Sequence, residues 1–171
     1  MSEILSTHFA LSEFTRSDTA RKANIVNEPP EDVVALARVF CTEILEPIRE
    51  RFGSMVITSG YRCPELNALV HGVPDSDHQW TAERIAADFF TPQADLGQVF
   101  DWIRLESSLF FDQVIREHSS GRGGDCIHIS YRLHPRRVAM VGATHNQTGY
   151  RHVDVAPMIA RPLQPPDVRE G

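Results

Sequence analysis

Hydrophobic positions recur at two different periods along this chain, and the change of period divides it into helices and strands. From Val33 to Phe52 the apolar residues Val33, Leu36, Ala37, Phe40, Ile44 and Ile48 return every three or four positions, the spacing of one buried helical face. Pro29-Pro30 followed by Glu31-Asp32 starts this helix, because proline fits a first helical turn and carboxylates there suit the helix dipole. Pro47 predicts a bend within it. A second, short helix is expected from Pro64 to Val70, closed by Gly72, and a further amphipathic one from Leu96 to Leu105. Elsewhere the period falls to two. Met55 to Thr58, Ile85 to Phe90, Phe111 to Glu117, Cys126 to Tyr131 and Arg137 to Val141 read as strands, with Pro92 ending the second and residues 119–124 joining the third to the fourth.

Residues 1–28 alternate short apolar and polar pieces, with Ser12 and Ser17 as caps of short helical turns, and are expected to form an N-terminal brace. Beyond Ala143 the apolar density falls and prolines gather at 157, 162, 165 and 166, which predicts an extended C-terminal arm. Helices early and a mostly antiparallel sheet later make an α+β domain over residues 1–142, with the arm at 143–171. Hydrophobic residues at 42% and charged residues at 23% of 171 suit one soluble domain with a real core. A net charge of −6 without any compensating Lys/Arg run argues against a nucleic-acid partner. Cys41, Cys63 and Cys126 are odd in number and widely spaced, so a reducing compartment is more natural than a disulfide framework. The N-terminus lacks a basic segment followed by a long apolar one, and no stretch is long enough for a membrane span, so neither a signal peptide nor a membrane anchor is expected.

The chemistry concentrates on three positions. Alternation puts Asp88 in an apolar strand together with Ala86 and Phe90, and a carboxylate there needs either an arginine or a metal. His128 shares a strand face with Cys126 and Ser130, against Ile127, Ile129 and Tyr131 on the other. His78 stands in a polar loop and would pass for a surface histidine on its own. Together, two imidazoles and one carboxylate form the ligand set of a zinc site with an open fourth position, which separates a catalytic site from a structural one. The three therefore read as ligands of one zinc ion.

The ordered blocks Ser59-Gly60-Tyr61-Arg62, Leu66-Asn67, Ser76-x-His78, Ala86-x-Asp88, Phe111-Asp112-Gln113-Val114-Ile115-x-Glu117 and His128-x-Ser130 resemble the zinc D-alanyl-D-alanine carboxypeptidases and related phage endolysins. The opening, with His8-Phe9, Ser12-Glu13, Ser17-Asp18, Ala20, Asn27 and Pro29-Pro30, is similar to the phage-associated branch. The resemblance covers about residues 8–131 and implies a hedgehog/DD-peptidase-like fold that cuts peptide bonds in peptidoglycan stem peptides. It implies Zn2+ held by His78, Asp88 and His128. Arg62 would meet a substrate carboxylate, for which a planar, permanently charged fork is suited, or would bridge a core carboxylate instead. Ser76 would position a substrate carbonyl or simply form its turn, and Gln113 in the Phe-Asp-Gln block is a further substrate-binding candidate. Two carboxylates compete as general base: Glu117, which shares a face with His128 if Ile115 opposes His128, and Asp125, three residues before His128 but on the opposite face of a regular strand.

One departure stands out. The family pattern separates the first two ligands by seven positions, whereas His78 and Asp88 are ten apart, and Arg84 stands where glycine is expected. Three extra residues in Gln79 to Arg84 are expected to bulge outward at little cost, leaving Trp80 and Arg84 placed to reshape or cover the cleft. The reading that follows is an endolysin-like zinc peptidase in the host cytoplasm before lysis or carried on the virion. Its rival is a phage-particle or wall-binding module that keeps the fold without turnover and docks on phage structural proteins through the arm. An ordinary α+β domain with satisfied histidines is preferred only if His78 and Asp88 lie far from His128.

Overall fold

A computed structural model describes residues 3–118, 124–143 and 149–157. The brace contains two short helices, α1 (Leu11–Thr15) and α2 (Asp18–Ala23), and Ser17 caps the second through its hydroxyl, which accepts from Ala20 N–H. At α1 the expected cap at Ser12 gives way to Ala10, whose N–H is taken by the Glu13 carboxylate at 2.8 Å. The long helix is divided into α3 (Glu31–Phe40), a π-helical turn at Cys41–Leu45 and α4 (Glu46–Phe52). Pro47 comes just after this π turn, whose wider winding makes room for a proline ring inside a continuous helix. A short α5 (Pro64–Leu69) follows β1 (Val56–Ser59), and α6 (Leu96–Asp101) continues into a second π turn at Trp102–Glu106. After α5 the left-handed residue is His71 rather than Gly72. Gly72 is needed for close approach instead, since a Cβ there would lie 2.1 Å from Asn67 Oδ1.

The remaining strands are β2 (Arg84–Phe90), β3 (Gln113–His118), β4 (Cys126–Arg132), β5 (Val138–Ala143) and β6 (Arg151–Val153). They form one six-stranded sheet in the order β1-β2-β4-β3-β5-β6. Every neighbouring pair is antiparallel except β3 and β5, which run parallel. One face of the sheet, with Ile85, Ala87, Phe89, Val114, Ile127 and Ile129, belongs to the same core as Phe40, Ile44, Leu45 and Ile48 of the long helix and Val99 and Ile103 beyond β2. Burying this contiguous apolar surface is the main favourable contribution to the fold. The opposite face carries the polar residues of the site.

The expected arm is in part folded onto the domain. Within it, β6 pairs with β5, Ala156 N–H donates to Arg104 O at 2.9 Å, and Arg104 Nη1 donates to Asp154 O at 2.7 Å. Low apolar density misled the reading here, because backbone pairing to a sheet edge requires little side-chain burial. The rest of the proline-rich arm, 158–171, and the connection at 119–123 lie outside the described residues.

Candidate metal centre

The register of β2 on β4 places Asp88 opposite His128. Alternation then turns both side chains to the face away from the helices, and Asp88 Oδ1 lies 2.8 Å from His128 Nδ1. His78, from the loop before β2, brings Nε2 to 3.2 Å from the same oxygen. One ligand atom from each of the three residues lies within 4.8 Å of the others, a grouping that could hold a metal ion. Sequence separations of ten and forty positions thus close into a single cluster.

The Ser59–Arg62 turn aims His78. Its Nδ1 lies 2.7 Å from Gly60 O, an acceptor that holds the Nδ1 proton and turns Nε2 toward Asp88. Arg62 N–H donates to His78 O at 2.9 Å, so the turn holds both the ring and the backbone of this residue. Only glycine fits at position 60, where a Cβ would fall 2.5 Å from Phe14 O. The brace clamps the turn from behind: Tyr61 N–H donates to Phe14 O, and Asn27 bonds Thr15 O, Tyr61 O and Cys63 N–H. A bulge between Ile57 and Ser59 brings Ser59 opposite Asp88.

The longer loop exposes Thr81, Ala82 and Glu83 but turns Trp80 inward. Trp80 is buried, with its ring centroid 5.8 Å from Phe14 and 5.7 Å from Tyr61, and its indole N–H donates to Ala86 O at 3.0 Å. Pairing with β1 reaches β2 only at Asp88, Phe89 and Phe90. The extra residues take over where β1 stops, since Thr81 N–H also donates to Arg84 O at 3.0 Å. The expectation that Trp80 covers the cleft is therefore corrected: a large aromatic beside an unpaired strand edge gains more from burial and a satisfied carbonyl than from exposure. Arg84, in place of glycine, donates to Asp75 O at 2.9 Å and pairs with Asp77 at 3.8 Å. Asp77 also binds Arg132 at 2.7 Å, and the buried Asp112 binds Arg136 at 2.5 Å and Arg132 at 3.2 Å.

Electrostatics tie the three ligands together. Burial pushes the Asp88 carboxyl up, but the His78 charge and hydrogen bonds to His128 and His78 outweigh it and hold the group well below the usual carboxylate range. For His128, burial disfavours the charged ring, yet the Asp88 hydrogen bond and the charges of Asp88, Glu117 and Asp77 lift it above its ordinary value.

Arg62 stands at the rim, with Nη2 3.7 Å from Asp88 Oδ2 and 3.0 Å from Ser59 Oγ, to which it donates. Ile115 pairs with His128, which puts Glu117 and Gln113 on the face of the cluster. Gln113 lies at the far end, opposite Ser130. The Ser76 hydroxyl accepts from His78 N–H at 3.3 Å and so shapes its own turn. Asp125 faces away; its Oδ2 lies 2.9 Å from His118 Nδ1, on the side that strand alternation gives it. Tyr150 was not singled out from the sequence, yet its hydroxyl reaches Glu117 Oε1 at 2.6 Å. No local pattern marks it, because the contact depends on the parallel pairing of β5 with β3.

The fold is thus an α+β domain that carries, on the open face of its sheet, a two-histidine, one-carboxylate cluster able to hold a metal ion. A family model described as Peptidase M15 matches residues 7–130, and the chain belongs to that family. No curated protein matches the chain significantly. M15 peptidases are metal-dependent, which suggests peptidase chemistry, and the His78, Asp88 and His128 cluster could hold a metal. Among the described residues, no helix is long and apolar enough to cross a membrane.

Proposed function

We propose that this chain is a zinc metallopeptidase that hydrolyses an amide bond in peptidoglycan stem peptides, as a D-Ala-D-Ala carboxypeptidase or endopeptidase of the phage endolysin type. The observation that carries the reading is the convergence of His78, Asp88 and His128 on the sheet face that also bears Glu117. The donor set fits zinc: two imidazoles and one carboxylate match the ligands of catalytic sites, and the Gly60 carbonyl supplies the outer hydrogen bond that orients such a histidine. Zinc held there would polarise the scissile carbonyl and make a bound water acidic enough to react.

Glu117 would serve as the general base, taking a proton from the attacking water and returning it to the leaving amine. Arg62 pairs with a substrate carboxylate. It also lines a cleft of about 790 Å³ with Arg16, Asp18, Ser59 and Tyr61, which neither the three cluster residues nor Glu117 line.

Metal analysis and mass spectrometry of digested peptidoglycan test the reading together. The expected result is about one zinc per chain, loss of metal in His78→Ala and His128→Ala, and stem-peptide fragments released only by the parent protein. A zinc-replete protein that cleaves neither peptidoglycan sacculi nor a D-Ala-D-Ala-terminated peptide would remove the enzyme claim.

A further inference from the structure

The Peptidase M15 match ends at residue 130, whereas the sheet continues through β5 and β6. The parallel register of β3 and β5 sets Gly142 beside Glu117. Tyr150, just ahead of β6, lays its ring over Gly142 so closely that a Cβ there would come within 2.3 Å of Tyr150 Cδ1. The phenol oxygen then ends 2.6 Å from Glu117 Oε1. On the other side, Cys126 pairs with Glu117 across β3 and β4 and brings its thiol to 3.7 Å from Oε2. Burial first, then the hydrogen bond and charge of Glu117, push the Tyr150 phenol above its ordinary value. The phenol therefore keeps its proton and serves Glu117 as a donor.

We propose that Tyr150 is a positioning residue for hydrolysis: it pins Oε1 of Glu117 and so leaves Oε2, whose donor among the described residues is the weak Cys126 thiol, turned to receive the proton of the reacting water. The inference rests on the reading of Glu117 as the base. It gives the chain beyond the family match a part in the chemistry, through a side chain that touches neither metal ligand nor substrate.

The test compares Tyr150→Phe, Gly142→Ala, Glu117→Gln and the parent on a D-Ala-D-Ala-terminated peptide, with zinc content and melting temperature measured for each. Tyr150→Phe is expected to keep its zinc and its KM while kcat falls about 10–100-fold, the range for outer-shell partners. Gly142→Ala displaces the ring while keeping the phenol, and should reproduce that kcat loss. Combined with Glu117→Gln, Tyr150→Phe should cause no further loss. A readout independent of turnover is fluorine NMR of zinc-free protein carrying meta-fluorotyrosine at its three tyrosines. The Tyr150 resonance, assigned by its absence in Tyr150→Phe, should move on Glu117→Gln while those of Tyr61 and Tyr131 stay.

A Tyr150→Phe variant with kcat within twofold of the parent, alongside an inactive Glu117→Gln, overturns the inference and leaves the base assignment standing. A fully active Glu117→Gln overturns both. An unmoved fluorine resonance removes the hydrogen bond itself, and a kcat loss matched by lost zinc or a lower melting temperature reduces Tyr150 to a structural role.

Discussion

Replacing Trp80 tests whether the longer loop between the first two ligands is a built part of the metal centre. The ring is buried against Phe14 and Tyr61, and the indole N–H meets Ala86 O where β1 no longer covers β2. Truncating a buried aromatic to alanine costs about 3–5 kcal/mol. Trp80→Phe keeps most of the ring contacts and isolates the hydrogen bond, because Ala86 O then faces the interior without its donor, at a cost of about 1–3 kcal/mol. In a chain of this size each kcal/mol moves the melting temperature by about 2–4 °C, so Trp80→Ala should lose roughly 6–20 °C and Trp80→Phe roughly 2–12 °C. His78 sits two residues before Trp80, and its backbone is held by the same turn on which the indole packs. Zinc affinity in Trp80→Ala should therefore fall about tenfold or more, as it does when outer-shell support is removed. Circular dichroism melts of the zinc-free proteins give the stability, and competition with a chromophoric chelator gives the affinity. If Trp80→Ala melts within about 2 °C of the parent and holds zinc as tightly, the loop is an ornament and the account of the stretched spacing is wrong.

Two further outcomes follow from the charges around the site. Burial raises the Asp112 carboxyl, but hydrogen bonds and charge from Arg136, with Arg132, bring it below its ordinary value, so its stabilisation is complete above the unfolded value of about 4 and is lost as pH falls through the folded one. Asp112→Asn should cost about 1–3 kcal/mol at pH 7, held down because Arg136 is half exposed; a gap between urea midpoints that stays as wide at pH 3 as at pH 7 counts against the ion pair. Arg62→Gln should retain zinc but lose roughly 10–100-fold in kcat/KM, mostly through KM, since a charge-assisted hydrogen bond to the substrate is worth about 1.5–3 kcal/mol. Equal cleavage of a C-terminally amidated peptide and its free acid by the parent would rule out the carboxylate anchor.

What could be read from the chain was what depends on local period and residue type. Asp88 and His128 stood out because each interrupts an apolar strand on a defined face, and period-two alternation carries that face directly into the sheet. Which of Glu117 and Asp125 shares the face of His128 depends on the register of β3 against β4. A hairpin pattern leaves this open, and a slip of one residue would turn Glu117 to the other face. The π turns were invisible because the apolar spacing of the long helix continues across Cys41–Leu45 without a break. The inward turn of Trp80 was not legible, because it depends on a strand-edge carbonyl that needs a donor and on a buried aromatic site, neither of which the loop sequence marks. Tyr150 left no trace at all. Its importance comes from a parallel pairing between strands more than twenty residues apart, and no pattern within either strand encodes that pairing.

The site therefore has two supports with different origins in the chain. The ligand cluster hangs on β2, β4 and the Ser59–Arg62 turn, and that turn is clamped by Phe14, Thr15 and Asn27 of the brace. All of these residues lie within the Peptidase M15 match at 7–130. The Glu117 carboxylate is oriented from outside the match, by Tyr150 resting on Gly142. Affinity for the ion depends on the spacing and outer-shell bonds of three ligands, whereas turnover depends also on where one carboxylate oxygen points. The two properties can consequently change independently, as substitutions at Tyr150 or Gly142 act on the Glu117 carboxylate rather than on His78, Asp88 or His128. His78, Asp88 and His128 lie within the family match, and the contact that orients the proposed base comes from the strands beyond it.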